Sequence, residues 1–90
     1  MKGLRDALAE YVRVRRALGS QLRWPASALR RFVDFLEQEG APFITTHLAV
    51  RWATEPAGVQ RATRAARLSI VRRFAVWLSV FDPRTQVPPP

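Results

Sequence analysis

The stretch 59–81, VQRATRAARLSIVRRFAVWLSVF, holds Arg61, Arg64, Arg67, Arg72 and Arg73 and no acidic residue. Its apolar residues recur at helical spacing in two adjacent rows. Leu68, Val71, Ala75 and Leu78 form one row, and Ile70, Phe74, Trp77 and Phe81 the other. Together they span an arc wide enough to bury the helix against two partners. The rest of the helix is cationic and unneutralised. Such a surface suits a polyanion, and duplex DNA offers one negative charge per ~1.7 Å of axis.

Outward from this stretch, glycines and prolines divide the chain. Leu4, Leu8, Tyr11, Val12, Arg15 and Leu18 make a stripe that predicts a first helix over 2–18, with Gly19 as its left-handed cap. A second helix is expected over 25–39, with Leu29, Phe32, Val33 and Leu36 inward and Gly40 as its stop. Pro25 suits a first turn, where its missing N–H costs nothing, although Ser20 as N-cap would place it deeper. Thr45 or Thr46 caps a short third helix over 46–54, with Ile44 as a staple residue. Pro56 and Gly58 then break the chain before the fourth helix. The expected core is Leu8, Leu29, Phe32, Val33, Leu36, Leu48, Trp52, Leu68, Val71, Phe74 and Leu78. After Phe81 come Asp82, Pro83 and Arg84, then Val87 and three consecutive prolines. That tail reads as an extended linker pointing out of the domain, disordered over 84–90. No strand pattern and no internal repeat is present, so the expected fold is all-α.

Fifteen basic side chains against seven acidic ones give a net charge of +8 on 90 residues, with a pI near 11.7. That balance suits nucleic acid or an anionic membrane surface. The surplus is uneven: residues 1–24 carry six bases and two acids, 59–81 five bases and no acid, and 25–58 three bases against four acids. Ninety residues make one small domain. A hydrophobic fraction of 48 % is ample for a core and argues against charge-driven disorder. The absence of cysteine removes disulfides and thiolate chemistry, and fits a reducing cytoplasm. No apolar run approaches the ~20 residues that span a bilayer. The first residues, with Lys2, Arg5, Asp6 and Glu10, lack the apolar segment of a secretory signal.

Enzyme chemistry is hard to build from these residues. His47, Lys2 and Tyr11 are each the single example of their type. His47 has no second His, Cys or acidic cluster nearby in sequence, so no metal site is expected. Tyr11 lies on the first helix's apolar stripe and reads as core, with its hydroxyl at the rim. Asp34, Glu37 and Glu39 read as a solvated helix face. No glycine-rich phosphate loop exists, and no cofactor or small-molecule substrate is expected.

The basic residues point elsewhere. Arg61, Arg64 and Arg67 crowd the N-terminal turns of the fourth helix, where unpaired N–H groups and the helix dipole already favour phosphate. Ser69, Arg72 and Arg73 follow on its less apolar side. On the second helix Arg23, Ser27, Arg30 and Arg31 likewise gather toward the start. These ten residues are the candidate DNA contacts. Fourteen of the fifteen bases are arginine, whose fork suits phosphate and guanine edges. The run Arg13, Val14, Arg15, Arg16 is open to two readings: nucleic-acid contact, or the solvation of a protein–protein face.

The run ARLSIVRRFAVWL (66–78) resembles the final helix of the core-binding, SAM-like N-terminal domain of tyrosine recombinases, the phage integrase family. The family pattern runs basic, Leu, Ser, two apolar residues, Arg, any residue, Phe, then Leu four further on. Arg67, Leu68, Ser69, Val71, Arg72, Phe74, Trp77 and Leu78 stand in matching places. LRRFVDFLEQEG (29–40) is similar to the family's second helix and its exit, and FITTHLAVRWA (43–53) to its short third helix. Ala75 departs from the usual second aromatic, and Pro25 from a helix-forming residue. The resemblance implies a four-helix orthogonal bundle of crossed helical hairpins over 1–82, clamping duplex DNA through helices 2 and 4. Residues 83–90 would be a proline-rich linker toward a catalytic domain, which in that family supplies the tyrosine nucleophile. The chain itself would bind without catalysing, and self-association on DNA is a further expectation. The competing reading is a helical protein-interaction module that binds an acidic partner or self-associates. A lipid-binding surface is set aside, because the fourth helix's aromatic face is needed for the core.

Overall fold

A computed structural model of the chain describes residues 3–55 and 57–90. Among them are four α-helices and no strand: α1 (Leu4–Ala17), α2 (Arg23–Gln38), α3 (Thr46–Thr54) and α4 (Arg61–Ser79). The expected helix start at Lys2 and the expected breaker Pro56 lie outside the described residues. The chain divides into two compact units, Met1–Pro42 and Phe43–Pro90, each built on one pair of packed helices.

In the first unit α1 packs on α2. α1 buries Leu4, Ala7, Leu8 and Tyr11, and α2 buries Ala26, Ala28, Leu29, Phe32, Val33 and Leu36. Both helices end the same way. The Ser20 N–H reaches the Arg15 carbonyl and the Gly19 N–H that of Arg16; Ala41 and Gly40 repeat the pattern on Leu36 and Glu37. These are Schellman closures, and Gly19 (φ 100°) and Gly40 (φ 69°) supply the left-handed residue each needs. Leu18, expected on the buried stripe, is 77 % exposed, because the helix ends at Ala17 and Leu18 already belongs to the turn.

Helix α2 begins earlier than expected, at Arg23, and neither Ser20 nor any other side chain caps it. The residue before it, Leu22, sits in the left-handed region (φ 53°, ψ 37°), at a cost of roughly 1–2 kcal/mol for a non-glycine residue. Pro25 is then the third helical residue, still within the first turn, where no N–H has an intrahelical acceptor. The ladder opens with the Ala26 N–H on the Leu22 carbonyl at 2.9 Å.

In the second unit α3 packs on α4. At nine residues α3 is too short to persist alone, and both its ends are tied down. At the start, the Thr45 hydroxyl accepts from the Leu48 N–H (3.2 Å), and the Gln86 side-chain carbonyl accepts from the Thr46 N–H (2.9 Å). At the end, the Arg67 guanidinium donates to the Glu55 carbonyl at 2.8 Å and reaches the Trp52 carbonyl at 3.5 Å. Ile44, Ala49, Ala53, Ile70, Val71, Phe74, Ala75 and Leu78 are buried. Leu48, Trp52 and Leu68, expected in the core, are only half-buried. Phe81 is 57 % exposed because α4 stops at Ser79 and the chain leaves the helical register, although its ring still lies 5.0 Å from that of Trp77.

The tail departs most from expectation. It is extended but neither disordered nor pointing outward. Asp82, Pro83, Arg84 and Thr85 form a β-turn, with the Thr85 N–H on the Asp82 carbonyl (3.1 Å) and the Arg84 N–H on the Asp82 carboxylate (3.0 Å). Asp at the first position and Pro at the second are what this turn favours. The chain therefore doubles back. The Gln86 N–H meets the Ile44 carbonyl at 2.9 Å, and Thr85 and Pro88 are buried.

Candidate nucleic-acid interface

The fourteen arginines fall into two groups. Arg5 bridges α1 to α2, reaching Asp34 at 2.6 Å and Glu37 at 2.7 Å. Arg13 pairs with Glu10, Arg51 with Glu55 and Arg84 with Asp82. Arg84 also lies 5.0 Å from the Phe43 ring centre. Arg16 donates to the Gln21 carbonyl, and Arg67 closes α3 while lying 5.5 Å from the Trp52 ring centre. Arg15 is half-buried on α1, and its buried Nε is likewise without a hydrogen-bond partner among the described residues. The second group is Arg23, Arg30, Arg31, Arg61, Arg64, Arg72 and Arg73. None of these seven has a hydrogen-bond or ion-pair partner among the described residues.

On α2, Arg23, Ser27, Arg30 and Arg31 lie within the first half of the helix, the arginines exposed and Ser27 half-buried. Farther along the same helix, Asp34 and Glu37 are engaged by Arg5, so the acidic half is neutralised internally and the cationic half is not. The Arg5 guanidinium, by its hydrogen bond, holds the Glu37 carboxyl below the usual carboxylate range. Arg5 itself is shifted further toward its charged form by Glu37 and then Asp34. Arg13 lowers Glu10 in the same way, and the Arg84 side chain, followed by its N–H, lowers Asp82.

On α4 the first turn contains no acid, and Gln60 caps it without a side-chain hydrogen bond. Arg61, Arg64, Ser69 and Arg73 are exposed and Arg72 is half-buried. Ser69, Arg72 and Arg73 come together beside a cavity that Leu68, Pro89 and Pro90 also line. Arg67 stands apart from them. It precedes Val71 by four residues and Phe74 by seven, which puts it on the buried face, and its guanidinium braces α3. That spacing was legible in the sequence. Gln86, Pro89 and Pro90 were not among the candidates; the Asp-Pro turn signal at 82–83 was the available clue that the chain returns to α4.

Among the described residues no group of His, Cys, Asp or Glu could hold a metal ion. No helix among them is long and apolar enough to cross a membrane.

No protein-family profile matches the chain, and no solved structure does. The chain is 45 % identical over 89 residues to a protein of Sinorhizobium fredii named "Putative integrase/recombinase y4rB". The match takes in 99 % of the chain and 28 % of that relative, so the chain spans under a third of the relative's length. Over nearly all its residues, the chain is thus similar to one part of a protein named as an integrase or recombinase.

Proposed function

We propose that the chain is the core-binding, SAM-like portion of a tyrosine recombinase, and that it holds duplex DNA through the cationic faces of α2 and α4. The bundle of crossed hairpins and a linker role for residues 83–90 belong to the same proposal. The carrying observation is the division among the arginines. Those on α1 and in the turns are mostly engaged locally, whereas seven on α2 and α4 have no partner among the described residues. Exposed cations without carboxylates raise the local potential, and phosphates are the polyvalent anion that lowers it. The similarity to an integrase/recombinase agrees with DNA as the partner.

Titration of a labelled duplex at two salt concentrations tests this. Binding in the range of roughly 10⁻⁴–10⁻⁶ M is expected, falling steeply with salt by about 0.9 log–log units per neutralised phosphate. Arg64→Ala or Arg73→Ala should flatten the slope by about that amount, while Arg15→Ala and Arg16→Ala leave it nearly unchanged. Salt-insensitive binding, or loss of binding in the α1 variants alone, overturns the proposal.

A further inference from the structure

The cationic half of α2 also carries a large aromatic side chain open to water. Trp24 is 46 % exposed and follows Arg23 directly. Arg23, Arg30 and Arg31 are exposed on the same helix, which has no acidic residue before Asp34, the carboxylate that Arg5 engages. At helical spacing, Trp24, Ser27 and Arg31 follow one another along one stripe, and Arg23, Ser27 and Arg30 along the next. A rise of about 1.5 Å per residue puts roughly 10 Å between the ends of each stripe. This register depends on where the helix starts. The left-handed backbone of Leu22 (φ 53°) precedes a helix that opens at Arg23; an opening at Pro25 would leave Arg23 and Trp24 in the connecting turn. Neither feature serves the core. The Leu22 backbone lowers stability, and the Trp24 ring keeps nearly half its surface in water.

We infer that Trp24 makes a direct, non-ionic contact with duplex DNA, its ring against sugar and base edges while the arginines beside it hold phosphates. The inference rests on the DNA-binding reading and adds to it the residue that supplies a salt-independent share of the affinity. Three cations with no free carboxylate among them favour a polyanion as the occupant of this face. Indole then brings what guanidinium lacks. Its ring gains by leaving water on contact, and its Nε1–H donates to a phosphate or base-edge acceptor. It carries no charge and so releases no counterion. Its contribution therefore persists at ionic strengths where the arginine contacts fade.

The test titrates the full chain against a labelled DNA duplex at two salt concentrations. Trp24→Ala should weaken binding roughly three- to tenfold at both, the scale of a few tens of Å² of apolar area no longer leaving water. The log–log slope should stay that of the parent. Arg30→Ala, by contrast, should flatten the slope by about 0.9, one phosphate's share. The contact also has an optical readout. Duplex should quench or shift the parent's indole emission, and Trp24→Phe should remove most of that change, since Trp52 and Trp77 are half-buried. Where the alanine variant lowers the thermal melt, the phenylalanine variant, which keeps a ring for packing, decides by its emission. Unchanged affinity with Trp24→Ala at an unchanged melt, a flattened slope, or an emission change that survives Trp24→Phe overturns the inference, while steep salt dependence of the parent preserves the DNA-binding reading. A parent chain that binds polyglutamate but not the duplex assigns this face to an acidic protein surface and overturns both.

Discussion

Arg67 and Arg73 are six residues apart on one helix and do different work. Arg73 is exposed and has no partner among the described residues, whereas Arg67 points along the buried face and closes the end of α3. Arg67→Ala should therefore lower stability by about 1 kcal/mol, the scale of one lost hydrogen bond, since the Glu55 carbonyl is exposed and only the longer contact to Trp52 is part-buried. Its folded fraction should keep the parent salt slope in DNA titrations. A melt unchanged by Arg67→Ala would contradict the brace. Arg5 gives a second test, through acid. Its hydrogen bond depresses the Glu37 carboxyl in the folded state, so the associated stability is present above the ordinary glutamate range near ~4.3. It is lost as pH falls through the lower folded value. Melting curves of the parent and of Arg5→Ala should differ most near neutral pH and converge toward about pH 2. A gap that stays constant across that range would mean that the pair contributes only packing.

At the scale of elements, α3 shows how a short helix is kept. Nine residues cannot offset the cost of nucleation alone, so its end groups are satisfied by Thr45, Gln86 and Arg67. Thr45→Ala should destabilise the second unit by about 1 kcal/mol, as removal of an N-cap does, visible as a lower melting temperature or earlier hydrogen exchange in α3. An unchanged melt would show that Gln86 suffices. The helix boundaries were legible because Gly19, Gly40 and Thr45 carry local signals whose geometry depends on the adjoining turn alone. The start of α2 was not legible. Leu22 adopts a left-handed conformation that leucine avoids, and no local preference announces it. The docking of the tail was not legible either, because three prolines signal extension, and extension says nothing about whether a segment is docked.

For the whole molecule, charge and chemistry point the same way. Tyr11 is only 5 % exposed on α1, and His47 and Lys2 are each the sole residue of their kind. A nucleophile must reach a phosphorus atom with a base and cationic groups at hand, and a buried tyrosine cannot. Incubated with a nicked suicide substrate, the chain should form no covalent adduct. A trapped phosphotyrosine at Tyr11 would overturn the non-catalytic reading. The sequence by itself determined the helical class, the approximate span of each helix, most of the core and the location of surplus charge. Periodicity, turn residues and formal charge are local properties, readable without contacts. Only the tertiary structure decided which arginines are already engaged, that Arg67 is a brace, and that the tail returns to wall a cavity on α4. Those outcomes depend on which distant groups meet, as Arg5 meets Glu37 and Gln86 meets Thr46 across 32 and 40 residues of chain. No local signal encodes a meeting at that separation.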